Sequence, residues 1–123
     1  MSQRLGDLIN SARRARKLTL RQLAAQVTKD DGTSISPRYV NDIELHHRMP
    51  TPHVLRELAR VLELDCDHLF ASAGAADVVL REYLEAYPQQ GEAIIKLFRA
   101  AQHREFEGWE HLRQSIERGK KKG

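Results

Sequence analysis

The amino-acid sequence predicts an all-α protein. Apolar residues recur at three- and four-residue spacing along nearly the whole chain, which is the period of an amphipathic helix. Two of these segments open with Ser or Thr followed by proline, a pair that caps a helix and then starts it. No segment shows the strict apolar–polar alternation that is typical of a half-buried strand.

The first two helices are predicted between residues 5 and 27. An apolar stripe marks the first helix, which we expect to end near Lys17: Leu5, Leu8, Ile9 and Ala12. Thr19 and Gln22 have the spacing of a capping box at the start of the second helix. Its apolar face comprises Leu20, Leu23, Ala24 and Val27. The polar residues 28–34 then predict a loop.

Three further helices are predicted between residues 36 and 70. Ser36 is expected to cap the third helix, and Pro37 to be its first residue. Thr51 and Pro52 repeat this arrangement for the fourth helix, and Asp65 is expected to cap the short fifth helix. Side chains predicted to be buried are Tyr39, Val40, Ile43, Val54, Leu55, Leu58, Ala59, Leu62, Leu69 and Phe70.

The small residues at positions 71–75 predict a boundary. We assign residues 1–72 to the first domain and residues 76–118 to a C-terminal segment of two or three helices. Because about forty residues in short helices bury too little surface to be stable alone, this segment is expected to pack on the first domain or on a second copy. Residues 119–123 are predicted to be a disordered basic tail.

Basic and acidic residues are distributed unevenly. The formal net charge is +3. Residues 1–52 hold nine Lys and Arg against five Asp and Glu, a balance of +4, whereas residues 53–118 hold eight against twelve, a balance of −4. The three lysines of the tail add +3. A basic first half suits an anionic partner such as nucleic acid, although charge alone fits a solvated surface equally well.

Several function classes receive no support from the sequence. Cys66, the single cysteine, is expected to be a small, partly buried apolar residue of a reducing cytoplasm. The six histidines lack zinc-ligand spacing, and no phosphate-binding glycine loop or nucleophile motif occurs. We therefore predict a non-enzymatic protein without catalytic residues, metal or cofactor. Because the first residues contain no long apolar run, we expect neither a signal peptide nor a membrane span.

The second and third predicted helices carry the most specific signal. The outward side of the third helix is crowded with hydrogen-bonding groups, as is typical of a helix that enters the major groove N-terminus first. The segments LTLRQLAAQV, ISPRYVNDIE and LRELARVLELDCDHLF follow one another, with a basic stretch and a proline-flanked helix start before the last. In this order they resemble the phage-repressor family, also called Cro-like or XRE helix-turn-helix regulators, over residues 4–71.

The resemblance implies a five-helix domain of a transcriptional regulator whose partner is double-stranded DNA. The family's base-reading positions fall here on Pro37, Arg38, Asn41 and Asp42. Arg38 is suited to a two-pronged contact with guanine, and Asn41 would read adenine if it points outward. Asp42 is as well suited to repelling phosphate or pairing with an arginine as to reading cytosine.

Other matching positions imply contacts with the DNA backbone. Arg21 lies near the start of the second helix, and His46, His47 and Arg48 follow the third helix where the family has a basic segment. Tyr39 occupies a position that either packs in the core or contacts a phosphate. The predicted DNA-contacting residues are therefore Arg21, Ser36, Pro37, Arg38, Tyr39, Asn41, Asp42, His46, His47 and Arg48.

Glu44 is expected to act inside the domain rather than at DNA. In the family, the matching acidic residue forms an internal ion pair with an arginine. Arg16 and Arg48 are the candidate partners, and the sequence does not choose between them.

The sequence departs from the family in three places. Residues 28–34 make the turn between the motif helices longer than usual, either as a specificity device or as a tolerated insertion. Leu20 stands where many relatives have a phosphate-binding glutamine. His46 replaces a common glycine, so we expect the third helix to run a turn longer.

The resemblance also implies a dimer, because repressors of this motif read two half-sites about one turn of DNA apart. We assign residues 76–118 as the dimerisation element of a homodimeric repressor with an inverted-repeat operator. ISPRYVNDIE and VLREYLEAYPQQGEAIIKLFRA further resemble short regulators that accompany an IrrE-type (ImmA-like) zinc metallopeptidase, which would cut within residues 92–106. The alternative is an antitoxin or protein-interaction module whose C-terminal helices bind a toxin or a peptidase.

Overall fold

The computed structural model describes residues 4–103 and 108–122, and this part of the chain is helical nearly throughout. It confirms the predicted all-α class. Two compact units divide between Glu82 and Tyr83. The helices are α1 (Leu5–Ala15), α2 (Leu20–Gln26), α3 (Pro37–Glu44), α4 (Pro52–Leu62), α5 (Cys66–Ser72), α6 (Ala76–Ala86), a short 3₁₀ turn (Pro88–Gln90), α7 (Gly91–His103) and α8 (Gly108–Lys122).

The helix starts of the first unit follow the predicted capping residues. Thr19 and Gln22 form the full capping box of α2, in which each side chain bonds the other residue's backbone N–H. The hydroxyls of Ser36 and Thr51 accept hydrogen bonds from N–H groups in the first turns of α3 and α4. Asp65 caps α5 in the same way. These bonds satisfy donors that a helix leaves free, so they fix where α2 to α5 begin.

One apolar core joins α1 to α5. Every side chain predicted to be buried in α3, α4 and α5 is buried. The loop residue Ile35 and the last-turn residue Ala73 are buried as well, and Val78 of α6 packs against this core. The first unit therefore continues past residue 72, the boundary that the sequence suggests, and ends within α6 at Glu82.

Left-handed residues end four helices of the first unit, α1, α3, α4 and α5: Lys17, His46, Glu63 and Gly74. Lys17 and His46 have φ angles of 58° and 64°. After α3, the His46 N–H bonds the Ile43 carbonyl and the His47 N–H bonds the Asp42 carbonyl, which is the Schellman arrangement. The prediction that α3 runs a turn longer is therefore wrong: His46 adopts the backbone conformation that glycine usually supplies.

The second unit buries little of its own surface. None of its described side chains, which span residues 83–102 and 108–118 apart from Trp109, is fully buried. Large apolar side chains are exposed instead: Tyr83, Tyr87, Ile95, Phe98, Leu112 and Ile116. Residues 119–122, predicted to be disordered, continue α8. Residues 104–106 of the predicted cleavage segment, and Gly123, lie outside the described residues.

Candidate nucleic-acid interface

The third helix is held by its inner face and leaves its outer face open. Val40 and Ile43 are almost fully buried against the core of the first unit. On the opposite side, side chains at positions i, i+3, i+4 and i+7 form one stripe, called here the outer face: Arg38, Asn41, Asp42 and Leu45. The fold thus presents three of the four predicted base-reading residues on one helix face.

Arg38 is the most accessible member of the outer face. Its side chain is 89% exposed, and its Nε atom lies 3.9 Å from a carboxylate oxygen of Asp42, which is 28% exposed. This is a loose, solvated pair of little energetic weight. The guanidinium therefore keeps in-plane N–H donors available for an external acceptor, and Asp42 balances part of its charge.

Leu45 belongs to the outer face but was not predicted as a site residue. It is the C-cap residue of α3, and 51% of its surface is exposed. Its spacing of seven residues from Arg38 is the signal that could have identified it. An exposed leucine there adds an apolar surface of the kind that contacts a thymine methyl group.

The start of α3 serves the helix itself. The Ser36 hydroxyl accepts a hydrogen bond of 3.1 Å from the backbone N–H of Tyr39. Pro37 occupies the first helical position and is half-buried. Both residues fix the direction in which α3 begins, and this role does not depend on a contact with DNA.

Tyr39 lies on the inner side of α3. Only 4% of its surface is exposed, and its hydroxyl has no hydrogen-bond partner among the described residues. The guanidinium carbon of Arg48 lies 3.8 Å from the centre of its ring. Of the two roles left open for Tyr39, core packing is therefore present in the free protein.

Glu44 ties α3 to α1. Its two carboxylate oxygens accept hydrogen bonds from Nε (2.7 Å) and an Nη atom (2.9 Å) of Arg13, and the two side chains are 6% and 12% exposed. The amide of Asn10 donates a further bond to the same carboxylate. Hydrogen bonding to Glu44 and the opposite charge of that carboxylate raise the pKa of Arg13, so the Arg13 guanidinium stays charged across the physiological range.

The internal ion pair of Glu44 was predicted, but both predicted partners are wrong. Arg16 instead bonds the Leu62 carbonyl and the carboxylate of Glu63. Arg48 lies over Tyr39. Arg13 is the partner because it faces α3 from the last turn of α1.

Gly6 allows α1 to approach the end of α3 closely. A Cβ atom at this position would lie 2.5 Å from the Ile43 carbonyl oxygen and 2.7 Å from the Glu44 carbonyl oxygen. It would also lie 2.8 Å from the His46 ring. Because two of these neighbours are backbone atoms, they cannot move aside independently. Gly6 therefore sets how deeply the end of α3 is seated.

The segment after α3 is exposed and basic. His47 and Arg48 are exposed, whereas the His46 ring points back toward α1, 3.4 Å from a carboxylate oxygen of Asp7. Arg4, which was not among the predicted DNA-contacting residues, lies in the same region although it is more than forty positions away in the chain. These residues line a cavity of about 280 Å³: Arg4, Leu5, His46, His47, Arg48, Met49 and Ser72.

Arg21 is exposed at the second position of α2. The predicted phosphate contact of this residue therefore requires no change in its surroundings. Leu20, where relatives often have glutamine, is half-buried and packs against the core. That position thus contributes to the fold.

The long turn between α2 and α3 is a closed, anchored loop. Thr28 and Ser34 form an isolated antiparallel bridge at its base. Glu57 of α4 accepts hydrogen bonds from the hydroxyl (2.9 Å) and backbone N–H (3.3 Å) of Thr28. Hydrogen bonds from Arg60 and, to a smaller extent, from Thr28 lower the pKa of Glu57 to about 2. The loop is therefore attached to α4 by an ionised carboxylate.

A second cavity of about 260 Å³ lies between this loop, α3 and α4. Its lining combines two cations with two carboxylates: Lys29, Asp30, Asp31, Tyr39, Arg48, Thr51 and Val54. Across residues 4–103 and 108–122, no group of three His, Cys, Asp or Glu side chains lies in a metal-binding arrangement. Within the same ranges, every helix is too short or too polar to cross a bilayer.

Comparison with known proteins agrees with this geometry. The profile of a family described as helix-turn-helix matches residues 9–69, which include α2, α3 and the basic segment. The chain is 35% identical over 121 residues to the uncharacterized HTH-type transcriptional regulator RghRB of Bacillus subtilis strain 168. That alignment covers 91% of this chain and 83% of the relative. No solved structure matches the chain.

Proposed function

Because this chain belongs to the helix-turn-helix transcriptional regulators of the XRE type, and so binds DNA, we propose that it is a homodimeric repressor that recognises an inverted-repeat operator. The outer face of α3 is proposed to lie in the major groove of each half-site. The observation that carries this proposal is the stripe of Arg38, Asn41, Asp42 and Leu45 opposite a rigidly packed inner face. Such a stripe can follow base edges while the core keeps the helix in place.

Base reading is assigned to the polar members of the stripe. Arg38 donates two parallel hydrogen bonds to O6 and N7 of a guanine, and Asn41 bonds an adenine in the corresponding way. Asp42 balances part of the charge of Arg38 across the loose pair between them. Pro37 supplies apolar contact beside the first base.

Backbone contacts are assigned to the exposed cations around α3. Arg21 and Arg48 bind phosphates, together with His47. These contacts set the position of the first unit on the duplex but carry no sequence information. Arg4 is added to this group because it shares a cavity with His47 and Arg48.

Dimerisation is assigned to the second unit. Its exposed apolar side chains include Ile95 and Phe98, which are 54% and 44% exposed on α7. Helices without buried side chains gain stability only from a further surface, and a second copy brings the same apolar residues to the contact. The isologous contact would also pair two recognition helices, as an inverted repeat requires.

The reading of bases is tested by Arg38→Ala in the full chain. We expect a loss of about 1–3 kcal/mol in binding to the operator, because the guanine loses its two-pronged partner, with little change in binding to random DNA. The measurement is the ratio of the two affinities at a fixed salt concentration. Arg81→Ala is the matched control. Arg81 is an exposed arginine of α6, it does not belong to the outer face of α3, and it pairs only loosely with Asp77. An unchanged ratio in Arg38→Ala contradicts the assignment.

The dimer is tested by sedimentation of the chain with Ile95→Ser and Phe98→Ser together. The expected result is a dimer for the wild type and a monomer for this variant, because two apolar contacts are lost from each copy. Lys96→Ser, a change on the same helix in a side chain that pairs with Glu92, should leave the dimer intact. A monomeric wild type would favour the protein-interaction module instead.

A further inference from the structure

Arg48 lies over an aromatic ring without an acidic partner in the part of the chain that the structure describes. It is exposed, and among the described residues no carboxylate lies within ion-pair distance of it. Its guanidinium carbon is 3.8 Å from the centre of the Tyr39 ring, well within the range of a cation–π contact. The turn at His46, with φ of 64°, brings the chain back so that Arg48 reaches α3.

The stacked arrangement leaves the hydrogen-bonding edge of the guanidinium unused. A guanidinium lying over a ring contacts it with its flat face, so the N–H donors in its plane still point outward. No intramolecular hydrogen bond of the Arg48 side chain occurs among the described residues. The donors are therefore free for an external acceptor such as a phosphate oxygen.

The ring that supports Arg48 is itself rigid. Tyr39 is 4% exposed and is fixed by the core and by the helix start at Ser36. Its hydroxyl forms no hydrogen bond with any described residue, so no such bond explains why a tyrosine stands here. What Tyr39 provides to the surface is the flat face under Arg48.

We propose that Tyr39 is a positioning residue for DNA binding: its ring holds the Arg48 guanidinium in place for a backbone phosphate before the protein meets DNA. This inference rests on the proposed role of Arg48 at a phosphate. An arginine that is already ordered loses less side-chain freedom on binding. Removing the ring should therefore weaken binding about three- to tenfold while Arg48 remains present.

A double-mutant cycle on the full chain tests the proposal. Arg48→Ala should weaken binding and lower the slope of log affinity against log salt by about one phosphate contact. Tyr39→Leu should weaken binding about three- to tenfold in the wild type but cause no further loss in Arg48→Ala. Tyr39→Leu combined with Arg38→Ala is the control pair, and these two losses should multiply.

The outcomes separate the proposal from its premise. If Arg48→Ala leaves affinity and salt slope unchanged, the phosphate contact itself is wrong. If Arg48→Ala weakens binding but Tyr39→Leu causes the same loss with or without Arg48, the positioning role is wrong. Tyr39→Phe keeps the ring and is expected to bind DNA as the wild type does. This variant therefore also tests the proposal if Tyr39→Leu is too unstable for its binding to be measured. A Tyr39→Phe variant that binds weakly would show instead that binding depends on the buried hydroxyl and not on the ring alone, which overturns the inference.

Discussion

The close approach of α1 to α3 at Gly6 predicts a specific cost for adding one methyl group. In Gly6→Ala, the new Cβ would lie 2.5 Å from the Ile43 carbonyl oxygen, whereas ordinary contacts begin near 3.4 Å. The start of α1 must then withdraw by about 1 Å. The hydrogen bonds from Asn10 and Arg13 to Glu44 connect the same two helices, so they lengthen as α1 moves away from α3.

The expected loss of stability is modest but measurable. Adding a methyl group to a tightly packed contact destabilises the fold by about 1–3 kcal/mol. The higher helix propensity of alanine offsets up to about 1 kcal/mol of this loss. We therefore expect Gly6→Ala to lower the free energy of unfolding by about 1–2 kcal/mol. Urea denaturation followed by circular dichroism measures this difference directly.

Gly91 offers a matched control because it also stands at the start of a helix. A Cβ there would lie 3.9 Å from a methyl carbon of Leu84, which is an ordinary contact. Gly91→Ala should therefore be neutral or slightly stabilising. If Gly6→Ala is as stable as the wild type while Gly91→Ala behaves as expected, the close approach does not constrain the protein and the reasoning fails.

Two further predictions concern carboxylates of the first unit. Glu44→Gln should lower the free energy of unfolding by about 3 kcal/mol, because it leaves the largely buried charge of Arg13 unpaired. Glu63→Gln removes only a solvated partner of Arg16 and should lower the free energy of unfolding by less than about 1 kcal/mol. Urea denaturation measures both differences. An equal effect of the two changes would contradict the difference in burial. The pKa of Glu57 is lowered from 4.5 to about 2, so its ionised form stabilises the fold above pH 4.5 and this contribution is lost as the pH falls toward 2. The difference in unfolding free energy between the wild type and Glu57→Gln should be constant near neutral pH and shrink below pH 4.5, and a difference that does not change with pH would rule out the bonded carboxylate.

Local features of the first unit were predictable from the sequence because they depend on neighbouring residues. Capping by Thr19, Ser36, Thr51 and Asp65 follows from side chains that lie within three positions of their partners. The buried faces of α3, α4 and α5 follow from helical spacing in the same way. The family resemblance was sufficient for the order of the five helices.

Contacts between distant positions were not predictable. Arg13 pairs with Glu44 across 31 positions, whereas Arg16 and Arg48 were the partners suggested by the sequence. The same limitation applies to Gly6, whose role depends on the backbone of α3. The end of α3 was predicted wrongly because His46 stands where relatives commonly have glycine, which suggested a longer helix. A histidine nevertheless adopts the left-handed conformation here, where two backbone hydrogen bonds close the turn.

The position where the first unit ends depends on side-chain packing that the amino-acid composition does not reveal. Small residues at positions 71–75 resemble a linker, but Ala73 is buried and Gly74 closes α5 with a φ of 68°. Ala75 and Val78 then continue onto the core. The sequence marks a turn there, and only the three-dimensional contacts show that the first unit extends through it.

The central claim is that the outer face of α3 reads DNA in a symmetric dimer. Selection of bound sites by the full chain from a random pool of DNA duplexes tests it most directly. We predict enrichment of an inverted repeat whose half-sites lie about one helical turn, roughly 10 base pairs, apart. The same selection with Arg38→Ala should keep this spacing and lose the preference at one guanine of each half-site. Failure to enrich any sequence, or a site without two-fold symmetry, would contradict the account.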